Sequence, residues 1–463
     1  MTKIVNARIA RVKKFTNDHF FKTMIFLAIP VMIQNLMSSS LNFIDSIMVG
    51  SLGDASVSGV GLANQVYFLI FLFVLAVSGC SSMFISQFWG KKDLKNIHRI
   101  QGLGLVLVVS VCAAVAAFSV AIPERIMAFL TPDPEVVRLG SSFLKISSLG
   151  FVLYGISSIY AVSLRNTGHP RIPLIANVTG VIINTFLNYA LIFGHFGFPK
   201  MGVEGSATAT CIARVVECAI ILGTVYSHKW PSSATIRTMF DLKRKLIRSF
   251  FAQSGLLIVK DVAWALGFVL YNKTYATIGT AESAAVQMLN PVNQIALVFF
   301  TGLATSCQIM VGNQLGVNDM KTAYLYAKRF LKIGMTGVVV IGALLFFMRH
   351  IVLLPYQVSP HARESAEALI MVFACFMPFS MFSMLSVVGI LRSGGDTMFC
   401  LVMDLVAVYL IGMPLILAGA YFWHLPIEVV YSMVLTQEVF KTIVLWKRVR
   451  SGKWMRNLTH GIA

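Results

Sequence analysis

Apolar runs long enough to cross a bilayer recur along the whole 463-residue chain, and this recurrence restricts the fold severely. They lie near 24–45, 57–80, 102–122, 140–161, 172–194 and 204–226, then near 250–271, 284–307, 331–348, 367–389, 399–420 and 427–446. Each span needs ~20 residues to cover the hydrocarbon core. In hydrocarbon every backbone N–H and C=O must be paired within the protein, which leaves only helices and closed barrels. The runs are continuous rather than alternating, so barrel strands are excluded. An all-α integral membrane fold of twelve transmembrane helices is expected, in line with 57% hydrophobic and 12% charged residues.

The formal charge of +19 raises the question of a nucleic-acid partner, and its placement answers it. Lys and Arg switch sides with the spans. One side collects 27 of them, in the N-terminal segment, in loops such as Lys91–Lys92 and Lys243–Lys245, and in the tail from Lys447 to Arg456. The opposite side has six: Arg125, Arg138, Lys200, Lys273, Arg349 and Arg363. The positive-inside bias puts both termini and the central loop in the cytoplasm, in a multi-pass protein of the cytoplasmic (inner) membrane. No nucleic-acid partner is expected. Nor is a cleavable signal peptide, because the basic N-terminus runs directly into a full-length span. The seven cysteines lie in or beside spans without CxxC spacing and are read as small buried apolar residues. The histidines show no paired ligand spacing, so no metal centre or bound cofactor is expected.

The chain is also duplicated. "SLGDASVSGVGLANQV" (51–66) aligns with "TIGTAESAAVQMLNPV" (277–292) at an offset of 226, matching Gly53 with Gly279 and Asn64 with Asn290. The register runs on through Gly90 and Gly316 to Asp93 and Asp319, and "SLRNTGHP" resembles "ILRSGGDT" further along. The expected organisation is an N-terminal segment 1–23, a lobe 24–226 of six helices, a linker 227–249, a second lobe 250–446 and a basic tail 447–463. An even number of spans per half makes the two bundles parallel and pseudo-symmetric about the membrane normal, an architecture suited to transporters.

The stretches "FIDSIMVGSLGDASVSGVG", "ISQFWGKKD", "LRNTGHPRIPLIANVTGVIINTFLNYALIFG" and "GVEGSATAT" resemble the multidrug and toxic compound extrusion (MATE) family, over roughly residues 20–455. That resemblance implies a V-shaped pair of lobes and secondary export driven by H⁺ or Na⁺. Asp45 matches the family's first-helix aspartate, which the resemblance ties to cation coupling, and Thr210 matches a threonine of span six. The residues themselves point the same way for Asp45, since an intramembrane carboxylate is penalised unless it pairs, protonates or faces a wet cavity. At offset 226 it faces Tyr271 in the repeat, so the shared scaffold does not require it. The competing reading is an interfacial aspartate near the end of its helix. Asn184 and Asn188 are four residues apart on one face and can serve Asp45, or join it in holding Na⁺. They can equally be interhelical hydrogen-bonding glue.

Where some family members carry an acid in the tenth helix, this chain has Met381 and its neighbours. Its second-half acids are Asp261, beside Lys260 about 15 Å into span seven, and Asp404 in span eleven. Lys260 and Asp261 point ~100° apart and need not pair; Lys260 with Asp404, leaving Asp261 toward a cavity, is one arrangement, and the sequence does not choose among the pairings. Glu438 and Lys441 read as a local i,i+3 pair, and Lys145, Arg214 and Glu217 as structural. Pro30 and Pro414 fall inside spans, where they can kink helices.

The expected function is export of organic, amphipathic or cationic small molecules by H⁺ or Na⁺ antiport, by a monomer that alternates access between its lobes. Alternatives are a flippase for a lipid-linked sugar or peptidoglycan precursor, disfavoured because Lys260 is the only basic residue counted as deep in a span, and an integral membrane lipid-modifying enzyme, for which no catalytic cluster is visible.

Overall fold

The computed structural model describes the backbone of residues 2–353 and 360–460 and most side chains from His19 onward, so Lys3 to Lys14 of the basic N-terminal segment lie outside the described side chains. Among the described residues the secondary structure is entirely helical. The first half comprises α1 (Thr2–Gly50), α2 (Asp54–Gly90), α3 (Leu94–Ala121), α4 (Pro134–Ser147 with Leu149–Asn166), α5 (Arg171–Phe193) and α6 (Val203–Ser227). The second comprises α7 (Arg244–Ile278), α8 (Thr280–Gly316), α9 (Met320–Val352), α10 (Pro360–Met384, continued by Leu385–Leu391), α11 (Thr397–Leu405, continued to Phe422) and α12 (Ile427–Ser451).

Eleven of these are long and apolar enough to span a membrane singly, and the α4 pair makes the twelfth. The expected straight span at 140–161 is instead broken at Ser148 and bent by 43°. Ser148 turns its hydroxyl back onto the Lys145 carbonyl at 3.0 Å, as serines at helix bends do. α11 widens into i→i+5 turns on either side of Met413–Leu417, the segment holding Pro414, whose missing N–H disturbs the ladder.

The duplication is visible in the turns. Asp93 caps α3 through the Asn96 amide (3.1 Å), and Asp319 caps α9 through the Thr322 amide (3.0 Å). The residues before them, Lys92 and Asn318, both take the left-handed conformation, at φ 59° and 66°. Each half has its own apolar core, yet the two cores exchange helix ends. Phe20, Met24 and Leu27 of α1 pack into the second-half core, while Leu246, Phe250 and Leu257 of α7 pack into the first. The chain between the halves is no free tether: Ala234 and Met239 are buried against α4, α5 and α6, and Arg99 and Lys95 grip Asp241 at 2.6 and 2.9 Å.

The halves meet along α2 and α8 at the end of the bundle that carries the basic loops. There Gly90 lies against the backbone of Asn313, Gly312 against Ser86 and Gly316 against the backbone of Gln87, so closely that a Cβ at any of the three glycines would overlap its neighbour. Small residues permit such approach in membrane helices. Gln308 Nε2 donates to the Gly79 carbonyl (3.2 Å), and nearer mid-bundle Asn35 Nδ2 donates to Thr301 Oγ1 (2.7 Å).

Candidate functional site

Among the described residues, those singled out from the sequence gather in two polar clusters, one in each half. In the first, Asp45 sits inside α1, about 8 Å short of its end at Gly50. It caps no helix terminus. Its Oδ1 accepts a hydrogen bond of 2.5 Å from Asn188 Nδ2, and Asn188 also donates to Asn184 Oδ1 at 3.0 Å. The i,i+4 spacing on α5 thus aims both asparagines at α1, and both are almost wholly buried. Asn184 Nδ2 reaches Thr210 Oγ1 at 3.2 Å, and the Thr210 hydroxyl donates to the Ser206 carbonyl at 3.0 Å. All four residues singled out in the first half are therefore joined in one network.

Asn184 meets different partners in its two amide orientations: with Oδ1 toward Asp45 it accepts from Asn188, and turned over it gives up that bond, its Nδ2 then standing 3.0 Å from Asn188 Nδ2. Turned over, its Nδ2 donates to Asp45 Oδ1 at 3.1 Å and its Oδ1 accepts from Thr210 Oγ1 at 3.2 Å. The choice between them follows from whether Asp45 presents a hydrogen or a lone pair on that side. One turn along α6 from Thr210, Arg214 pairs with Glu217 (2.6 Å), donates to the Tyr67 hydroxyl (3.3 Å) and stacks over Tyr154 (5.0 Å). These residues form a packed ion pair, as expected of them, whereas Lys145 is exposed.

The second cluster contains pairings that the sequence leaves open. Lys260 Nζ contacts Asp261 Oδ1 at 2.6 Å despite their adjacency in sequence, because the long lysine stem swings across, and it reaches Asp404 Oδ2 at 3.6 Å. Lys441 is not confined to Glu438 (2.8 Å) but also approaches Asp404 Oδ1 at 3.4 Å. Asp404 thereby joins α7, α11 and α12 into one network of three carboxylates and two ammonium groups, with a formal charge of −1. Asp261 Oδ2 is buried without a hydrogen-bond partner. An unmatched charge there is costly, so the cluster favours a further cation or proton. Tyr271, which stands in the repeat where Asp45 does, donates instead to the Val408 carbonyl (2.9 Å) and Gln437 (3.1 Å).

Sequence reasoning missed the reach of Lys441 to Asp404, although the offset of the repeat sets Lys441 against Arg214 and so hinted at a matching role. It also passed over Arg392, which is buried against Gly79 across the interface between halves, and Gln87 beside it. Cys375 is exposed rather than buried. Among the described residues no group of three or more His, Cys, Asp or Glu is arranged to hold a metal ion.

Comparison with known proteins matches the MatE family model to residues 30–190 and, a second time, to 257–417, which reproduces the duplication. The chain is 20% identical over 435 residues to a probable multidrug resistance protein NorM of Thermotoga maritima, covering 94% of this chain and 93% of that one. It is 25% identical over 412 residues to the multidrug resistance protein PmpM of Pseudomonas aeruginosa, covering 85% and 82%. Among solved structures, an outward-facing multidrug resistance MATE transporter of the MOP superfamily superposes with a TM-score of 0.83 at 19% identity, covering 93% and 96%. A mutant of the Vibrio cholerae MATE transporter VcmN superposes at 0.86 and 17% identity, covering 95% and 99%. At these identities the superpositions establish the shared two-lobe fold.

Proposed function

Because the chain belongs to the multidrug and toxic compound extrusion family, whose members are transporters and not enzymes, we propose that it exports small organic cations or amphipathic compounds by proton antiport, with Asp45 as the coupling carboxylate. The lobes 24–226 and 250–446 would rock about their interface, with the basic end and both termini in the cytoplasm of a cell whose inner membrane holds the protein. One chain supplies both lobes, so a monomer suffices. With the α2–α8 seam closed at the basic end, this conformer is outward-facing under that topology, the state in which one of the similar structures is described.

The observation that carries the proposal is the Asn184 amide lying 3.1 Å from Asp45 Oδ1 and able to face it either way. A protonated Asp45 donates to the Asn184 oxygen while accepting from Asn188. Once the proton leaves, two acceptors face one another, and the Asn184 amide must turn to offer its nitrogen, which gives up its bond from Asn188 and obliges that neighbouring amide to shift as well. Thr210 accommodates both orientations, because its hydroxyl oxygen can accept in one and its O–H can donate in the other. Proton uptake therefore rewrites contacts between α1, α5 and α6. Sodium would need oxygens rather than the Asn188 N–H directed at Asp45, which favours the proton. Coupling requires that ion and substrate prefer different conformers, since equal affinity for both shifts nothing. Substrate recognition is assigned to Lys260, Asp261 and Asp404, where the net charge of −1 suits an organic cation.

A flippase for a pyrophosphate-linked lipid needs unpaired basic groups in its chamber. Lys260, Lys441 and Arg214 each sit on a carboxylate instead, whereas Arg165, on Gln34 at 3.3 Å, and Arg392, against Gly79, have no carboxylate partner among the described residues and stand toward the basic end. The test is dye efflux from proteoliposomes under separately imposed pH and Na⁺ gradients. A pH gradient alone should drive efflux, and Asp45→Asn should fold but lose it. Undiminished efflux by Asp45→Asn, or efflux obeying only the Na⁺ gradient, would overturn the assignment.

A further inference from the structure

We propose that the segment Gly452–His460, which follows α12, is a latch that holds the two lobes together at the basic end, with Gln87 of α2 as its catch. The segment is rooted in the second lobe. Gly452, at φ 69°, turns the chain back under α12, and Trp454 is fully buried with its Nε1 donating to the Val449 carbonyl at 3.0 Å. Gly394 lies so close to the Trp454 carbonyl that no Cβ fits between them. Arg448 grips Asp396 with two hydrogen bonds, of 2.7 and 3.0 Å, and so ties α12 to the turn before α11.

From that root the chain crosses to the first lobe. Gln87 is wholly buried, and its amide is fully used there. Its Nε2 donates to the carbonyls of Ser393 (2.7 Å) and Arg456 (3.1 Å), and its Oε1 accepts from the Leu458 N–H (2.7 Å). Leu458 packs against the first-lobe core and against Gly395 of the second lobe, so it sits between the two, while Met455 packs against the second-lobe core. Asn457 Nδ2 donates to the Gly316 carbonyl on α8 at 3.3 Å, and Thr459 holds Asn457 in place through its N–H and hydroxyl, at 3.0 and 2.6 Å.

The other half of the duplication makes the crossing conspicuous. "HKW" (228–230) follows α6 as "GKW" (452–454) follows α12, and each has one left-handed residue, Lys229 at φ 50° in the first and Gly452, one position earlier in register, in the second. That first strap stays on its own lobe, through Gln101 to the Ser232 carbonyl (3.1 Å) and His98 to the Pro231 carbonyl (2.9 Å). Covering a lobe's basic end therefore does not require contact with the other lobe. The bonds to Gln87 are additional, and they lie where α2 and α8 must part if this end is to open. The latch biases the closed seam, and its release is a step in opening.

Its consequence for transport rests on the alternating-access proposal above, but its test does not. Hydrogen–deuterium exchange in lipid nanodiscs, without ion gradient or drug, reads opening at residues 82–90 and 308–316. Each net hydrogen bond is worth about a factor of two to ten. Gln87→Met, which keeps the side-chain length, should raise exchange at least about tenfold in both segments. Leu458→Ala, a milder change at a half-buried position, should raise it in the same two segments, with the opposite ends of α2 and α8 unchanged. Unchanged exchange at the seam in both variants overturns the latch. So does a uniform rise across the second lobe, which would make the segment a scaffold of that lobe alone. Because the readout needs neither substrate nor ion gradient, failure of the antiport proposal leaves the exchange result standing.

Discussion

Replacing Lys260 by methionine is the sharpest perturbation of the second-lobe cluster. Methionine keeps the stem but removes the charge that Asp261 meets at 2.6 Å and Asp404 at 3.6 Å. At an effective dielectric of ~20 those contacts carry about 6 and 5 kcal/mol of bare attraction, most of it offset by desolvation. Removing one partner of a buried pair costs about 3–5 kcal/mol, because the other is left uncompensated. The formal charge of the cluster then falls from −1 to −2. Asp261→Asn moves it the other way, to zero, and replaces the incompletely partnered carboxylate by a neutral amide, so it should be milder. The double variant returns to −1 and should be more stable than the sum of the singles by about 1–3 kcal/mol. Thermal unfolding of the four proteins in detergent, followed by tryptophan fluorescence, measures the cycle. If Lys260→Met costs no more than Asp261→Asn, or the two changes add within about 0.5 kcal/mol, the charges do not act as one network.

Asn188→Leu removes the donor 2.5 Å from Asp45, and a hydrogen bond to a charged group is worth about 1.5–3 kcal/mol. The ion dependence of efflux should shift by about ten- to a hundredfold in concentration, with folding retained; an unshifted dependence refutes the relay. Gly316→Ala puts a methyl into the Gln87 carbonyl and should destabilise the closed seam by about 1–3 kcal/mol, slowing export while leaving each lobe intact. Export at the parent rate, with seam exchange unchanged, counts against that packing. Outside the membrane, the Lys95 ammonium and Arg99 guanidinium hold the Asp241 carboxyl below the ordinary carboxylate range. A depressed folded value contributes stability above the unfolded value of about 3.9, lost as pH falls through the folded one. Limited proteolysis at 228–243 should therefore accelerate only below about pH 4, and Asp241→Asn should show the faster rate near neutrality; equal rates for the two proteins at pH 7 refute the clamp.

The spans, the duplication and the first-lobe cluster are legible in the sequence because each is written in local pattern. Hydrocarbon imposes run length, repeats preserve offsets, and i,i+4 spacing aims Asn184 and Asn188 together. The break in α4 is not legible, since "KISSLGF" reads as continuous hydropathy and two serines do not by themselves end a span. The contact of Lys260 with Asp261 escapes the helical wheel because angular separation governs only where side chains leave the backbone. A lysine stem of four carbons can cross that angle when a carboxylate lies within its reach. Lys441 meets Asp404, and Gln87 meets Leu458, across long stretches of chain, 371 positions in the second case. No local pattern encodes such meetings.

The duplication also explains why ion and substrate are assigned to different lobes. At the repeat offsets, Gln34, Asn35 and Asn177 stand where Lys260, Asp261 and Asp404 do, and Arg214 stands where Lys441 does. This layer of the scaffold thus holds three amides and the Arg214 charge in the first lobe, and four charges in the second. Had Asp45 been placed among those charges, its titration would have been shared with four strongly interacting groups, and no single proton would change its contacts cleanly. Its hydrogen-bond partners among Asn184, Asn188 and Thr210 are neutral, and the Arg214 charge that reaches it from α6 is paired with Glu217, so gain or loss of one positive charge is felt chiefly through hydrogen-bond direction. A permanent ionic network suits the complementary task of attracting an organic cation without itself switching. The seam of α2 and α8 is the part both lobes share, and the exchanged ends of α1 and α7 carry each lobe's state into the other's core. Under the proposed antiport, separate clusters on either side of the α2–α8 seam would let occupancy of one alter access to the other without the two cargoes competing for the same side chains.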